Sequence, residues 1–309
     1  MSQVSSDRAA LRERLTGVLT ALVTPMRGGE VDFPAFERHL ERQLAGGVRG
    51  LVPVGTTGEA ATLSPEETDE VIRHTVRVAA GHAFVLAGVG TNATRATIDK
   101  ARRAADLGVD GLLVVTPYYN KPSQAGLYDH FAAVAAAVKL PAVLYSVPGR
   151  TGVELGVETC ARLARDCPTI VGLKEAGGRC ERITELRLAC PPGFIIHSGD
   201  DGLTLPFLAL GADGVISVAS NLLPREIVAL VAAWRNGDPA GARVWHERLY
   251  DIMRTLFIET NPTPIKAALA ERGWMAVDVR GPLAVLQSES KARLVASLAT
   301  LRAGLQEIR

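Results

Sequence analysis

The chain has 309 residues, is 47% hydrophobic and 22% charged, and carries a formal net charge of +1. So balanced a charge offers no field that gathers nucleic acid, and no stretch approaches the roughly 18 uncharged apolar residues of a membrane span, so neither partner is expected. The four cysteines, Cys160, Cys167, Cys180 and Cys190, form no Cys-x-x-Cys pair, and no two histidines stand at a metal-ligand spacing; free thiols and a reducing compartment are expected, and a metal is not.

Residues 1–14 mix charges and contain no apolar segment of the export-signal kind, which points to a cytoplasmic protein with an exposed N-terminal segment. Eight β-branched, apolar runs follow in chain order: Val18–Thr24, Gly50–Val54, Phe84–Val89, Gly111–Thr116, Ala142–Val147, Ile170–Glu175, Gly193–Ser198 and Gly214–Val218. They are continuous and not alternating, as strands covered on both faces are. Between them lie helical patterns. Ser64–Ala80 opens with a cap, a proline and two glutamates; Thr94–Leu107 stops at Gly108; Ser123–Val138 is a third. Strict alternation predicts an α/β fold, a closed (β/α)8 TIM barrel over residues 15–236. The rival, an open doubly wound sheet, lacks a Gly-x-Gly-x-x-Gly turn after the first strand. Leu223–Asn236 reads as the eighth helix. Pro239–Phe257, Pro264–Glu271 and Ser288–Leu305 then read as helices without strands, a C-terminal helical extension over residues 237–309.

Lys174 stands out within the apolar run Thr169–Ala176. Burial disfavours an ammonium, and a lysine so placed becomes a neutral nucleophile for carbonyl groups. In a barrel the chemistry gathers at the C-terminal strand ends, and unusual polar residues recur at that end. They are Gly55-Thr56-Thr57-Gly58-Glu59, Thr116-Pro117-Tyr118-Tyr119-Asn120-Lys121-Pro122, Tyr145 with Val147-Pro148-Gly149-Arg150-Thr151-Gly152, Ser198-Gly199-Asp200-Asp201, and Ile216-Ser217. Each fragment alone is compatible with a turn or a packed strand end. Together they hold a lysine, hydroxyls, an arginine and a glycine-bounded loop able to receive a carboxylate, a set suited to imine chemistry on a small keto acid.

From about Leu15 to about Gly273 the chain resembles the dihydrodipicolinate synthase / N-acetylneuraminate lyase family of class I, lysine-dependent aldolases. The motifs that carry the resemblance are Gly55–Glu59, Tyr145 and Gly172-Leu173-Lys174-Glu175-Ala176. Thr116–Pro122, the Tyr145–Gly152 segment and Glu259–Lys266 are similar to its synthase branch, whose members join pyruvate to L-aspartate-4-semialdehyde on the route to diaminopimelate and lysine. The resemblance implies catalytic roles for Lys174, Tyr145, Thr56 and Tyr119, with Lys174 forming the imine and the other three a proton relay. It implies substrate binding by Thr57 and Ile216 on the keto acid, by Arg150 on the semialdehyde, and by Gly199 beside them. It implies no separate cofactor beyond the covalent imine with Lys174. It also implies a homotetramer, a dimer of dimers, in which Tyr119 enters the neighbour's site.

One departure from the family pattern concerns feedback by lysine. Ala61, Asn92 and Tyr118 match the inhibitor site of lysine-sensitive members, but Pro65 and Thr68 stand where histidines occur and Ala96 where the acidic residue occurs. Weak or absent lysine inhibition is therefore expected. Three other readings compete: a family aldolase with a sugar-acid acceptor, which the Arg150 motif opposes; a keto-acid-binding paralogue without turnover, which the retained Lys174–Tyr145–Thr56–Tyr119 set opposes; and a metal aldolase built on His197, Asp200 and Asp201, a thin donor set.

Overall fold

The structure is a computed structural model and describes residues 3–306; the outermost residues of the N-terminal segment and of the C-terminal extension, 1–2 and 307–309, lie outside it. All eight predicted strands form. They are β1 Gly17–Ala21, β4 Gly50–Val52, β5 Phe84–Gly88, β6 Gly111–Val115, β7 Ala142–Ser146, β8 Ile170–Glu175, β9 Ile195–Ser198 and β10 Gly214–Ser217; β2 Met26–Arg27 and β3 Glu30–Val31 make a small antiparallel hairpin outside the barrel. The eight pair in parallel around a closed ring that joins β1 to both β4 and β10. The hairpin has no counterpart among the predicted strands, because two-residue strands leave no periodic signal.

The barrel has two cores. Inside the ring, Leu19, Phe84, Leu86, Val143, Ile195 and Ile216 pack with Tyr145. Outside it, the other face of the strands packs against the helices through residues such as Phe36, Leu40, Val71, Phe131, Leu163 and Leu230. Continuous apolar runs are what strands need when both faces are covered. The predicted helix starts hold. Ser64 and Glu67 form a reciprocal capping box on the Pro65–Ala79 helix, Ser123 caps Gln124–Ala137, and Asp238 caps Pro239–Thr255.

Three expectations shift in detail. The seventh strand begins at Ile195 and not at Gly193, because Gly193 takes φ +85° and Phe194 N–H bonds to Pro191 C=O, which makes the segment a turn. Pro148-Gly149-Arg150-Thr151 is one helical turn and not a simple bend. The N-terminal segment is docked. It forms a helix, Gln3–Leu15, with Arg12 on Asp213 at 2.7 Å, and Leu15 closes the barrel floor while its carbonyl lies 2.7 Å from His197 Nε2. Arg14 on Asp110 at 2.7 Å and Glu13 on Arg49 at 2.9 Å add to the attachment, and the segment's mixed charge hides it because the partners lie far away in sequence.

The C-terminal extension packs its Pro239–Thr255 helix on Pro224–Arg235 and reaches back to the barrel mouth through Thr263–Glu271. Here Lys266, fully buried, donates to Glu59 Oε1 at 2.6 Å and to Thr24 C=O at 3.0 Å, and Arg280 N–H donates to Glu59 Oε2 at 2.8 Å. A buried charge left alone costs more than the pair gains. Lys266→Met should therefore lower unfolding stability by about 3–5 kcal/mol, read from the denaturant midpoint; a loss below about 1 kcal/mol would show that Glu59 finds other partners.

Candidate active site

Lys174 is the last residue but one of β8, the sixth barrel strand. It stands in register with Tyr145 on one side and with His197 on the other. Its side chain is 5% exposed, and Nζ sits 4.4 Å from the centroid of the Tyr145 ring. Burial is the largest influence on the amine; the carboxylate of Asp201 opposes it and the Arg150 guanidinium adds to it, so the pKa falls from 10.5 to about 8. That difference is worth roughly 3 kcal/mol against the ammonium. A ring face attracts an ammonium by only about 0.5–2 kcal/mol, so desolvation wins. About one amine in ten is neutral at pH 7 with such a pKa, against about one in several thousand for an ordinary lysine.

Gly199 makes the amine's position possible. A Cβ built there would lie 3.1 Å from Lys174 Cε and 2.7 Å from Ala176 Cβ. Its N–H closes the strand end by donating to Glu175 C=O at 2.7 Å. Gly199 is thus brought to the site, as a clearance and not through a side chain.

Tyr145 is 7% exposed. Burial raises its phenol above the usual range, while the Arg150 charge and the Thr56 hydroxyl draw it partly back. The phenol is therefore protonated at neutral pH beside an amine that is partly free. Thr56 lies near enough to favour the phenolate, but no hydrogen bond of full geometry joins the two hydroxyls among the described residues.

The Gly55–Glu59 loop is shaped as a receptor. Gly58 N–H and Ala60 N–H turn back to Gly55 C=O, and Glu59 N–H bonds to Thr56 C=O. The N–H groups of Thr56 and Thr57 donate to no protein group among the described residues. Thr57 is buried, and its Oγ1 accepts from Asn261 Nδ2 at 2.9 Å. Two free N–H groups and two hydroxyls form a small concavity for an anion.

Arg150 lies exposed on the helical turn after β7, with Nη2 donating to Asn261 C=O at 3.2 Å. Ile216 is fully buried on β10, opposite Leu19, with its side chain in the inner core. One predicted residue stands apart: Tyr119 is 88% exposed, at φ 74°, and forms no hydrogen bond with Thr56 or Tyr145 among the described residues.

Three residues around the site have a place in the fold that is not catalytic, and for His197 it is the packed seventh-strand position that the sequence suggests. Asp201 is not a metal-ligand candidate but a buried cap: it accepts from Ser217 Oγ, from Val218 N–H at 3.0 Å and from Ala219 N–H at 2.9 Å. His197 is a packed residue in β9, bonded to the barrel floor. Asn261 stands about a hundred residues beyond Arg150 in sequence, and only the folded extension brings it to Thr57.

A family model described as the Dihydrodipicolinate synthetase family matches residues 14–301. The chain belongs to this family. Among curated members, a 4-hydroxy-tetrahydrodipicolinate synthase of Oleidesulfovibrio alaskensis is 46% identical over 290 residues, covering 93% of this chain and 99% of the relative. Among solved structures, the 4-hydroxy-tetrahydrodipicolinate synthase of the methanotroph Methylacidiphilum fumariolicum SolV superposes with TM-score 0.94 at 46% identity, over 95% of this chain and 98% of the other. The chloride-inhibited dihydrodipicolinate synthase of Acinetobacter baumannii, complexed with pyruvate, superposes with TM-score 0.91 at 41% identity, over 93% and 99% of the two chains. The dihydrodipicolinate synthetase family is thus shared along nearly the whole chain, C-terminal extension included.

The electrostatics of Lys174 can be checked directly. Arg150→Ala should move the pH midpoint of Lys174 acetylation by acetic anhydride upward, and Asp201→Asn should move it downward, each by up to ~1 unit, read by peptide mass spectrometry. Equal midpoints in all three proteins would mean that neither charge reaches the amine.

Proposed function

We infer that the chain is a pyruvate-dependent aldolase that makes 4-hydroxy-tetrahydrodipicolinate from pyruvate and L-aspartate-4-semialdehyde, on the route to diaminopimelate and lysine. The observation that carries this is a buried amine of lowered pKa, 4.4 Å from a buried phenol ring, beside a loop with unspent N–H groups. Near-full-length similarity to synthases of that name supports it.

In the reaction, neutral Lys174 Nζ attacks the pyruvate keto carbon, and loss of water leaves a protonated imine on the lysine. The imine draws electrons, so the methyl group releases a proton and becomes an enamine carbon. That carbon attacks the aldehyde, whose oxygen takes up a proton. The amine of the bound semialdehyde then adds to the imine carbon, closes the ring and expels Lys174. Tyr145 is the acid–base group for these transfers. Its raised pKa makes it a proton donor at rest, and the Thr56 hydroxyl, near enough to favour the phenolate, is the next group for the proton. Thr57 and the loop N–H groups hold the keto-acid carboxylate, with the backbone at Ile216 placing the keto acid and Gly199 leaving room for the amine. The imine with Lys174 is the only covalent carrier in this scheme, and no cofactor is required.

Arg150 selects the acceptor. Its planar fork suits the α-carboxylate of the semialdehyde, where a sugar-acid substrate presents hydroxyls. Tyr119 completes the relay from a second copy of the chain. Its near-complete exposure in a single copy supports an assembly in which a neighbour covers it, a dimer as the catalytic unit and a tetramer of two dimers. A cytoplasmic setting accords with four free cysteines and with the lack of any helix, among the described residues, long and apolar enough to cross a membrane. Pro65 and Ala96 are exposed, and position 96 offers no acidic partner for an incoming ammonium, which supports weak or absent inhibition by lysine.

Borohydride treatment with pyruvate should add the pyruvate-derived mass to Lys174 alone and to nothing in Lys174→Ala; adduct elsewhere would remove the basis of the assignment. Arg150→Ala should raise the semialdehyde KM at least about tenfold while changing the pyruvate KM less than about threefold; an equal rise in both would contradict acceptor recognition. Lysine below the millimolar range should leave the purified enzyme's rate unchanged, and inhibition at such concentrations would show that another cationic subsite replaces the missing partners.

A further inference from the structure

In the function proposed above the Thr57 hydroxyl is the side chain that donates to the keto-acid carboxylate, and a hydroxyl serves as a donor only if its single hydrogen is not spent elsewhere. A threonine hydroxyl has one hydrogen and two acceptor positions. In the structure Asn261 Nδ2 donates to Thr57 Oγ1 at 2.9 Å, so one acceptor position is filled by an N–H. Among the described residues Oγ1 has no other partner, and its hydrogen remains unspent in a residue only 3% exposed. An unused donor in such a place is costly unless a ligand meets it.

We propose that Asn261 is a positioning residue for the keto acid: its amide occupies the oxygen of Thr57 and so commits the threonine hydrogen to the substrate carboxylate. The inference rests on the function proposed above and gives the C-terminal extension a part in it. Asn261 is itself 5% exposed; its side-chain Nδ2 reaches Thr57, while its Oδ1 is buried with no partner among the described residues. Its backbone carbonyl receives Arg150 Nη2 at 3.2 Å, and five residues further on Lys266 is locked between Glu59 and Thr24. One residue of the extension therefore touches both the side chain that holds the keto acid and the cation that selects the acceptor. The orientation of the amide matters. Turned over, its oxygen would take the Thr57 hydrogen, and the carboxylate would lose that donor.

The test is a double-mutant cycle with Asn261→Ala, Thr57→Val and the double variant, read as the pyruvate concentration giving half-maximal borohydride adduct on Lys174, with both KM values and kcat beside it. Asn261→Ala should raise the pyruvate half-saturation about tenfold, the scale of one hydrogen bond to a charged group, and change the semialdehyde KM less than about threefold. In the Thr57→Val background the same change should add less than about twofold, because Asn261 acts through that hydroxyl. Asn261→Asp, nearly identical in shape, offers only acceptors; it should raise the pyruvate half-saturation at least as much, and it decides the matter if the alanine variant does not fold. An unchanged pyruvate dependence, or the same factor in both backgrounds, would overturn the proposal. Failure of the wild-type protein to trap pyruvate on Lys174 would instead overturn the functional reading and the inference with it.

Discussion

Keeping one amine out of water governs this structure. An ammonium buried at a strand end is disfavoured by desolvation, and neither the Tyr145 ring nor the Asp201 carboxylate makes up the difference. The surrounding architecture serves that imbalance. Parallel strands bring Tyr145 and Lys174 into register, the glycine at 199 leaves room for the methylene chain, and the inner core closes the space beneath. An exposed lysine on the same strand would be chemically ordinary. The amine's pKa is lowered because the barrel interior is packed, so the property that suits it to imine chemistry and the stability of the fold draw on the same contacts.

The mouth of the barrel is rigid for a different reason. The receptor loop after β4 is not stabilised by its own turn alone, since Glu59 anchors it to Lys266 and to the Arg280 backbone, and Arg280 continues to Glu67 at the start of the neighbouring helix. Buried ion pairs of this kind add little net stability but hold one geometry firmly. Here the geometry held is that of the loop whose N–H groups face the site. The C-terminal extension is therefore tied to the Gly55–Glu59 loop through Lys266 and Asn261, and is not a separate packing layer.

Much of this was legible in the sequence, because strong local signals and the global fold agree. The eight apolar runs, the Ser64 cap and the helical pattern opening at Ser123 give strands and helix starts where the structure has them. Lys174 was visible as a charge inside a strand that burial on both faces leaves no room to solvate. The remainder depends on contacts between residues far apart in the chain. Asn261 carries no local signal for its bond to Thr57, 204 residues away. The two-residue strands β2 and β3 are too short for periodicity, and the docking of Gln3–Leu15 turns on Arg12 meeting Asp213 across the barrel floor. Tyr119 was legible as a motif residue, yet in the fold it lies 88% exposed, apart from Tyr145 and Thr56.

The most direct measurement is a side-chain NMR titration of isotopically labelled lysine in the unliganded protein. The chain has six lysines, and Lys174→Arg assigns the resonance of interest. That resonance should titrate near 8, well below the 10.5 of an ordinary lysine. A midpoint near 10.5, with the amine charged throughout the working range, would contradict it.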